Sequence, residues 1–286
     1  MMHANPADYE LIASESLEEI LNLLADSRDR YTPIAGGTEI MVALGAGRLQ
    51  PHKFISLWNL NELRFIDAAD NAITIGSGST FTDIRNHPNL CDEFPLLTQA
   101  ASWTGSIANQ NRATIGGNIV NASPAADSPP ALLVYNAELT LVSAKGKRTI
   151  PYRDFHIAYK KIALAPEELV HSITLVRNTT GYKQYIRKVG PRNAQAISKV
   201  ALAAIARMDN DHIADIRFGA ASLRETPARL SLTEQSLLGK KVTAEAIAMA
   251  RAALTNESKP IDDIRSTAKY RTTVAANLLE EFLLSL

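Results

Sequence analysis

The hydrophobic and polar positions of the first segment indicate an α/β unit. In SLEEILNLLADSRD the apolar residues recur at helical spacing: Ile20, Leu21, Leu23 and Leu24. Ser16 and Glu19 stand three residues apart at its start and predict a capping box. The pattern then predicts a strand in YTPIAGGTEI that runs into a glycine turn, a short helix in IMVALGAGRL and a strand in HKFISLWNL.

The middle segment, residues 61–177, mixes strand-like apolar runs with helix start signals. The runs are LRFIDAA, AITIGSG, AELTLVSA and LVHSITLV. Thr80 with Asp83 opens a helix in FTDIRNH, a proline opens one in PLLTQAAS, and Asp127 precedes one in PALLVYNA. The segment therefore predicts a second α/β unit.

The last segment, residues 178–286, predicts antiparallel strands and then helices. The strands are KQYIRKVG, ISKVALAAIARMD and HIADIRFGAAS, with a turn at DND between the last two. Three helices follow: one ends at Gly239, one follows Thr243, and the last runs from about Thr267 to the end. With the first segment, residues 1–60, these patterns predict three lobes.

Composition narrows the class of protein. The 286 residues contain 46% hydrophobic and 21% charged residues, with 30 basic and 30 acidic side chains, which is typical of a soluble protein without affinity for nucleic acid. Cys91 is the only cysteine, so the chain cannot form an internal disulfide, a Cys-based zinc site or a Cys-ligated iron–sulfur cluster. No signal peptide and no apolar run of about 18 residues is visible, so we expect a cytoplasmic protein without a membrane span.

Familiar catalytic and nucleotide motifs are absent. The chain has no G-x-G-x-x-G, no P-loop, no H-E-x-x-H and no G-x-S-x-G. The histidines are scattered without metal-ligand spacing: His3, His52, His87, His156, His171 and His212. The sequence therefore predicts neither a catalytic side chain nor a metal site.

Two diglycine turns carry the strongest hint of a ligand. They lie in IAGGTEI, 34–40, and in TIGGNIV, 114–120, and both are expected at strand ends. Glycine allows a backbone to approach a ligand closely, and successive N–H groups in such turns can bind anions. The pair could hold the two phosphates of a dinucleotide, with Thr38, Asn118 and Asn121 adding hydrogen bonds. Taken singly, each GG is better explained by a tight turn, and only the pair favours a ligand site.

Asp127 and Lys188 each admit two interpretations. Asp127 can cap the helix that follows it, or its carboxylate can bind a ribityl or ring N–H group. Lys188 lies in an alternating strand and can be a surface lysine with a buried stem. It can also face inward, where a cation near a flavin would stabilise the reduced anionic ring.

Four segments together resemble the FAD-binding (medium) subunit of molybdenum hydroxylases, the xanthine dehydrogenase and carbon monoxide dehydrogenase family. They are IAGGTEIM, TIGGNIVNASPAAD, Y-x-x-KVGPRNA and STAKYR, and their order and spacing match over about residues 5–280. The resemblance implies an α+β fold. A PCMH-type FAD-binding part in two α/β lobes precedes a C-terminal lobe of a three-stranded antiparallel sheet and a helix bundle.

The resemblance also implies the cofactor site. FAD would lie between the first two lobes and touch the third. The cofactor-binding residues carried over from the family are Ala35, Gly36, Gly37, Thr38, Glu39, Ile40, Thr114, Ile115, Gly116, Gly117, Asn118, Asn121, Asp127, Val170 and Lys188. We expect Gly116→Val and Gly117→Val to remove FAD from a chain that still folds, because both Cβ atoms would meet the cofactor.

The implied activity is electron transfer. In the family, a large subunit with a molybdenum cofactor hydroxylates the substrate, a small subunit with [2Fe–2S] clusters relays the electrons, and FAD passes them to an acceptor, NAD+ in many members. The assembly expected from the resemblance is a dimer of heterotrimers. AGGTE, where carbon-monoxide-oxidising members have AGGHS, favours a purine substrate.

Alternatives remain for the electron acceptor, for the substrate and for the function of the chain itself. The loop 190–197 lacks the acidic residues of some NAD-using members, which leaves the acceptor open. The complex could instead oxidise CO, nicotinate or an aldehyde. The chain could also be a stand-alone flavin oxidoreductase or a scaffold that has lost FAD, although the intact diglycine loops argue against the last of these.

Overall fold

Three large β-sheets follow one another along the chain in the computed structural model, which describes residues 5–26, 30–50 and 52–286, and a fourth sheet has only two strands. The first sheet is parallel, with the strand order β1-β3-β2. Its elements are β1 (Glu10–Ala13), α1 (Leu17–Ala25), β2 (Thr32–Ile34), α2 (Ile40–Gly45) and β3 (Lys53–Ser56). Residues 1–4, at the start of the expected first lobe, lie outside the described residues.

Helix α1 forms because its apolar stripe is buried against the next lobe. Leu17, Ile20 and Leu21 pack in a cluster that includes Val142 and Leu169. The capping box is only half formed. The hydroxyl of Ser16 accepts the N–H of Glu19 at 3.3 Å, but the Glu19 carboxylate accepts from the Ser14 hydroxyl instead of the Ser16 N–H. The predicted helix extended to residue 29, and its residues 27–29 lie outside the described part.

The second sheet is antiparallel and has the strand order β4-β5-β10-β6-β7. Its strands are β4 (Ile66–Ala68), β5 (Ala72–Gly76), β6 (Glu138–Ser143), β7 (Gly146–Pro151) and β10 (Leu169–Val176). The helices between them are α3 (Phe81–Asn86), α4 (Pro88–Glu93), α5 (Pro95–Trp103), α6 (Ile107–Gln110), α7 (Ile115–Val120) and α8 (Pro129–Val134). A small hairpin of β8 (His156–Ala158) and β9 (Lys161–Ile162) extends from this lobe.

The third sheet has four strands in sequence order, one more than expected. Its strands are β11 (Lys183–Val189), β12 (Val200–Asp209), β13 (His212–Ala221) and the two-residue β14 (Ala228–Arg229). The three predicted helices are confirmed as α9 (Ser231–Leu237), α10 (Ala244–Glu257) and α11 (Ala268–Leu283). None of the described helices is long and apolar enough to cross a bilayer.

Strand β12 joins two hydrophobic cores because its alternate side chains point to opposite faces of the sheet. Ala203 and Ile205 belong to the core of the second lobe, whereas Leu202 and Ala204 belong to the C-terminal core. At β13, the Cα of Gly219 lies so close to helix α8 that an added Cβ would be 2.3 Å from the Pro130 carbonyl oxygen. This close packing brings the third lobe against the second.

Candidate functional site

A cleft of about 630 Å³ lies where the three lobes meet, and both diglycine segments line it. The lining residues come from four parts of the chain: Pro33, Ala35, Gly36, Gly37, Thr38, Glu39, Ile40, Val42, Thr104, Gly105, Asn109, Ala113, Thr114, Gly117, Asn118, Val120, Asn121, Gln195 and Ile197. The structure thus brings together two motifs that are far apart in sequence.

The first diglycine loop presents free backbone donors. Among the described residues, no acceptor faces the N–H groups of the five residues 36–40. Gly37 has a φ of 75°, a left-handed conformation that favours glycine. At Gly36 an added Cβ would lie 1.7 Å from the Arg112 carbonyl oxygen. The two glycines therefore let the loop turn tightly against the second lobe with its N–H groups available to an anion.

The second diglycine segment is built differently from the prediction. It does not follow a strand; Thr114 caps helix α7, and its hydroxyl accepts the N–H of Gly117 at 3.1 Å. The N–H of Ile115 donates to Ser79, that of Gly116 to Ser77, and that of Asn118 to the Thr114 carbonyl. These N–H groups already have partners inside the protein, so the expected second anion-binding turn is wrong.

Gly116 and Gly117 therefore have different roles. Gly116 is buried, and a Cβ on it would lie 2.6 Å from the Ser77 Cβ and 2.8 Å from the Ser77 carbonyl oxygen. The sequence predicted that Gly116 leaves room for the cofactor. That prediction is wrong, because a side chain at this position would point toward Ser77 inside the protein. Gly117 is exposed and lines the cleft. It leaves a flat surface on the first turn of α7.

Asn118 and Asn121 project from the same helix end into the cleft wall. The Ser128 hydroxyl donates to Asn118 Oδ1 at 2.7 Å. The ammonium of Lys160 donates to Asn121 Oδ1 at 3.0 Å. Both side-chain oxygens are thus engaged by protein donors.

Asp127 and Lys188 form a buried ion pair with each other. Lys188 Nζ lies 2.7 Å from Asp127 Oδ2 and 3.0 Å from the Trp103 carbonyl oxygen, and the Ser198 hydroxyl donates to Asp127 Oδ1 at 2.8 Å. The side chain of Lys188 is 8% exposed and that of Asp127 is 11% exposed. Burial raises the pKa of the Asp127 carboxyl, and the charge and hydrogen bonds of Lys188 oppose that rise.

The buried ion pair excludes two interpretations made from the sequence, Asp127 as a helix cap and Lys188 as a surface lysine. The residue before α8 is Ser128, and no side-chain hydrogen bond caps that helix, so Asp127 is not its cap. Lys188 is not a surface lysine with a solvated head. Neither residue lines the cleft itself, but their hydrogen-bond partners Trp103 and Ser198 are chain neighbours of the lining residues Thr104 and Ile197.

Two further residues carried over from the family do not line the cleft: Ile115, and Val170, for which the resemblance implies a contact with FAD through the backbone. Val170 is 4% exposed in β10, where it pairs with Leu141 in the core of the second lobe. Ile115 is fully buried in the same core. The side chains of both residues stabilise the fold behind the cleft.

Nine of the lining residues were not predicted, and four of them, Pro33, Val42, Ala113 and Val120, are apolar neighbours of the two diglycine segments. The others are polar or lie in other segments. They are Thr104, Gly105, Asn109, Gln195 and Ile197, and Lys160 and Ser198 behind the lining were not predicted either. Gly105, with a φ of 58°, is the one with a usable sequence signal, a glycine between Thr104 and Ser106 that marks a turn. Gln195 and Ile197 belong to the loop 190–197, which the family resemblance places near the flavin, although neither residue was singled out. Asn109 lies in helix α6, and the local patterns around the remaining residues carry no ligand signal.

Two family models match this chain, one after the other. Residues 7–175 match "FAD binding domain in molybdopterin dehydrogenase". Residues 185–286 match "CO dehydrogenase flavoprotein C-terminal domain".

Known proteins match over nearly the whole length. The glyceraldehyde dehydrogenase medium chain of Sulfolobus acidocaldarius is 30% identical over 270 residues, which cover 94% of this chain and 95% of that protein. A putative xanthine dehydrogenase FAD-binding subunit of Escherichia coli is 29% identical, covering 90% of this chain and 88% of that protein. A chain of carbon monoxide dehydrogenase from Hydrogenophaga pseudoflava superposes with a TM-score of 0.91 at 26% identity, covering 96% of this chain and 95% of that one.

Proposed function

Because this chain belongs to the family of FAD-binding domains of molybdopterin dehydrogenases, we propose that it binds FAD in the cleft described above and acts as the electron-transfer subunit of a heteromeric molybdenum hydroxylase. The observation that supports the position of FAD is the run of unpaired N–H groups at residues 36–40. These N–H groups form an electropositive turn in which no acceptor of the described protein residues is hydrogen-bonded to them, so they can bind an anion.

The donors of the cleft fit FAD. The N–H groups of the first loop suit a diphosphate, and the free NH2 sides of Asn118 and Asn121 suit ribityl hydroxyls, phosphate oxygens or ring carbonyls. Gly117 lets the cofactor lie flat against α7. When bound, FAD supplies the ability to collect electrons one at a time and release them as a pair.

The chain's own residues bind and orient the cofactor. The ammonium of Lys188 is held in place by Asp127 and by the carbonyl of Trp103, whose chain neighbour Thr104 lines the cleft. A fixed positive charge on Lys188 would favour the reduced anionic flavin, because the ammonium is already in place and does not have to move as negative charge develops on the ring. No side chain of this subunit is required as a general acid or base.

The partners follow from what this chain lacks and from its relatives. With Cys91 as its only cysteine, the chain cannot ligate an iron–sulfur cluster through cysteines. We propose a large subunit with a molybdenum cofactor and a small [2Fe–2S] subunit as its partners, in a dimer of heterotrimers. We also propose that the lobes 1–60, 61–177 and 178–286 are the structural units of the subunit.

The substrate and the acceptor are finer proposals. The residue Glu39 in AGGTE supports a purine as substrate. The relatives include a glyceraldehyde dehydrogenase, a putative xanthine dehydrogenase and a nicotinate dehydrogenase, so the substrate site, which lies on another subunit, decides among these classes. We propose NAD+ or another small-molecule oxidant as the electron acceptor.

One purification tests the proposal. The full chain is purified from its native source with its co-purifying subunits, and the flavin, molybdenum and iron contents are measured. We expect one FAD per chain together with molybdenum and iron. A colourless complex would contradict FAD binding. A yellow chain without molybdenum and iron would indicate a stand-alone flavin enzyme. Turnover of xanthine, glyceraldehyde, nicotinate and CO, each with and without NAD+, then identifies substrate and acceptor.

A further inference from the structure

Lys160, at the tip of the β8–β9 hairpin, contacts Asn121 on the side of that residue that faces away from the cleft. Lys160 lies in the turn of the hairpin with a left-handed φ of 57°. Its ammonium donates to the backbone carbonyl of Asn121 at 2.5 Å and to Asn121 Oδ1 at 3.0 Å. Since Asn121 lines the cleft, Lys160 holds a residue of the binding surface from outside it.

The two hydrogen bonds determine which atoms Asn121 offers to a ligand. An amide side chain has an acceptor oxygen and an NH2 donor, whereas an ammonium only donates. Lys160 therefore holds the oxygen, and the NH2 is left for the cleft. Asn118, one turn earlier, has the same polarity because the Ser128 hydroxyl occupies its oxygen. The two amides together form a donor surface for a ligand rich in acceptors.

The charge of Lys160 also matters at this position. Among the residues that line the cleft in the described part of the chain, Glu39 is the one with an ionisable side chain, and it is acidic. A diphosphate would therefore meet no lining cation. Lys160 does not line the cleft but is hydrogen-bonded to the lining residue Asn121. Asn121 is the C-cap of α7, and a positive charge at the C-terminal end of a helix interacts favourably with the helix dipole.

We propose that Lys160 is a positioning residue for FAD. It holds the Asn121 amide oxygen and so orients the NH2 of Asn121 toward the cofactor. The inference rests on the proposed function, because it requires that FAD occupy this cleft.

The test compares two adjacent lysines in the full chain with its co-purifying subunits. Lys160→Met removes the ammonium and keeps a similar stem, and Lys161→Met makes the same change at the next residue of the hairpin, which is also exposed. FAD is removed and titrated back, and its dissociation constant is measured. We expect about fivefold weaker binding for Lys160→Met, the loss of roughly one hydrogen bond, and an unchanged constant for Lys161→Met.

A double-mutant cycle separates positioning from general stability. If Lys160 acts through Asn121, then Lys160→Met in an Asn121→Ala background should weaken FAD binding less than about twofold further. Lys160→Arg, which can donate to both oxygens, should stay within about twofold of the wild type, and the thermal midpoints of the apo forms should agree.

Several results would overturn the inference: equal FAD affinity of Lys160→Met and the wild type, an equal loss in Lys161→Met, additivity in the cycle, or no rescue by arginine. Failure of the wild-type complex to bind FAD at all would instead reject the proposed function.

Discussion

Gly116 and Gly117 are adjacent, but one faces the protein and the other the cleft. A methyl group on Gly116 would collide with Ser77, whereas on Gly117 the nearest atom is Thr114 Oγ1 at 3.0 Å. We expect Gly116→Ala to lower the free energy of unfolding by about 2 kcal/mol through overpacking. Gly117→Ala should leave stability nearly unchanged and weaken FAD binding about tenfold, because its methyl group enters the cleft.

Thermal unfolding of the apo chain and FAD titration measure the two effects separately. Gly45→Ala is the matched control, since a Cβ there meets nothing within 4 Å. If Gly116→Ala kept its stability but lost FAD, the original interpretation of Gly116 as a cofactor glycine would be restored.

The buried pair of Lys188 and Asp127 gives a second residue-scale prediction. Lys188→Met leaves the Asp127 carboxylate buried without its cation, which should cost about 3–5 kcal/mol of stability. Lys188→Met combined with Asp127→Asn should recover much of that loss, because no buried charge is left unpaired. Chemical denaturation of the three chains measures the difference, and equal stability of the two variants would contradict this account.

The pH dependence of Lys188→Met has a definite sign. Burial already raises the pKa of Asp127, and removing Lys188 takes away the main opposing charge. A carboxyl whose pKa is higher in the folded state binds its proton more tightly there. The deficit relative to the wild type is therefore absent below the unfolded pKa of about 4 and grows as pH rises toward the folded pKa. We expect a smaller deficit at about pH 5 than at about pH 8.

Local sequence patterns could not reveal this pair. Asp127 stands before Ser-Pro-Pro, which resembles a helix start, and its partner Lys188 is 61 residues away. Only the approach of β11 to the segment before α8 brings the two together. The diglycine motifs were visible because glycine marks a backbone requirement locally, but which glycine meets the ligand depends on its tertiary neighbours.

At the scale of elements, helix α9 depends on a side chain from another helix. No side chain of its own caps its start. Instead, the buried carboxylate of Glu257, at the end of α10, accepts the N–H of Leu232 at 3.2 Å and that of Thr233 at 3.0 Å. A carboxylate at a helix N-terminus satisfies free donors and interacts well with the helix dipole.

We expect Glu257→Ala to lower the stability of the chain by about 2 kcal/mol, because buried N–H groups lose their acceptor. Glu257→Gln, which keeps one acceptor oxygen, should lose less. The exposed Glu245 of the same helix provides the control, and Glu245→Ala should change the unfolding midpoint little. Equal effects of the alanine variants at 245 and 257 would contradict the cross-helix cap.

The elements that the sequence predicted well are those with strong periodic patterns. The long strands β12 and β13 and the helices of the C-terminal lobe have such patterns and are confirmed. Strand β7 was missed because GKRTIP is an edge strand exposed along most of its length, without alternation. The short β14 was missed because its two residues pair with β13 only through long-range packing.

At the scale of the molecule, the third lobe forms part of the cleft proposed to bind FAD. It contributes Lys188 from β11 and the lining residues Gln195 and Ile197, and its strand β12 shares a core with the second lobe. We therefore expect the junction of these lobes to affect both stability and FAD binding. The sequence indicated three units but carried no local signal for how closely they pack.

Gly219 provides the test of that junction. A Cβ there would lie 2.3 Å from the Pro130 carbonyl oxygen and 3.1 Å from the Leu133 Cβ, and a backbone oxygen cannot move aside by changing rotamer. We expect Gly219→Ala to cost about 3 kcal/mol or more by forcing α8 away from β13. FAD affinity should fall with it, because the segment before α8 carries Asp127, which holds Lys188.

The measurements are thermal unfolding of the apo chain and FAD titration of the complex, with Gly45→Ala as the benign glycine substitution. A loss of stability with full FAD affinity would mean that the lobe junction and the cleft are independent. Wild-type values for both would mean that α8 and β13 are not held in the close packing described. The expected joint loss follows because the same interface fixes the third lobe and holds Lys188, the cation proposed to lie near the cofactor.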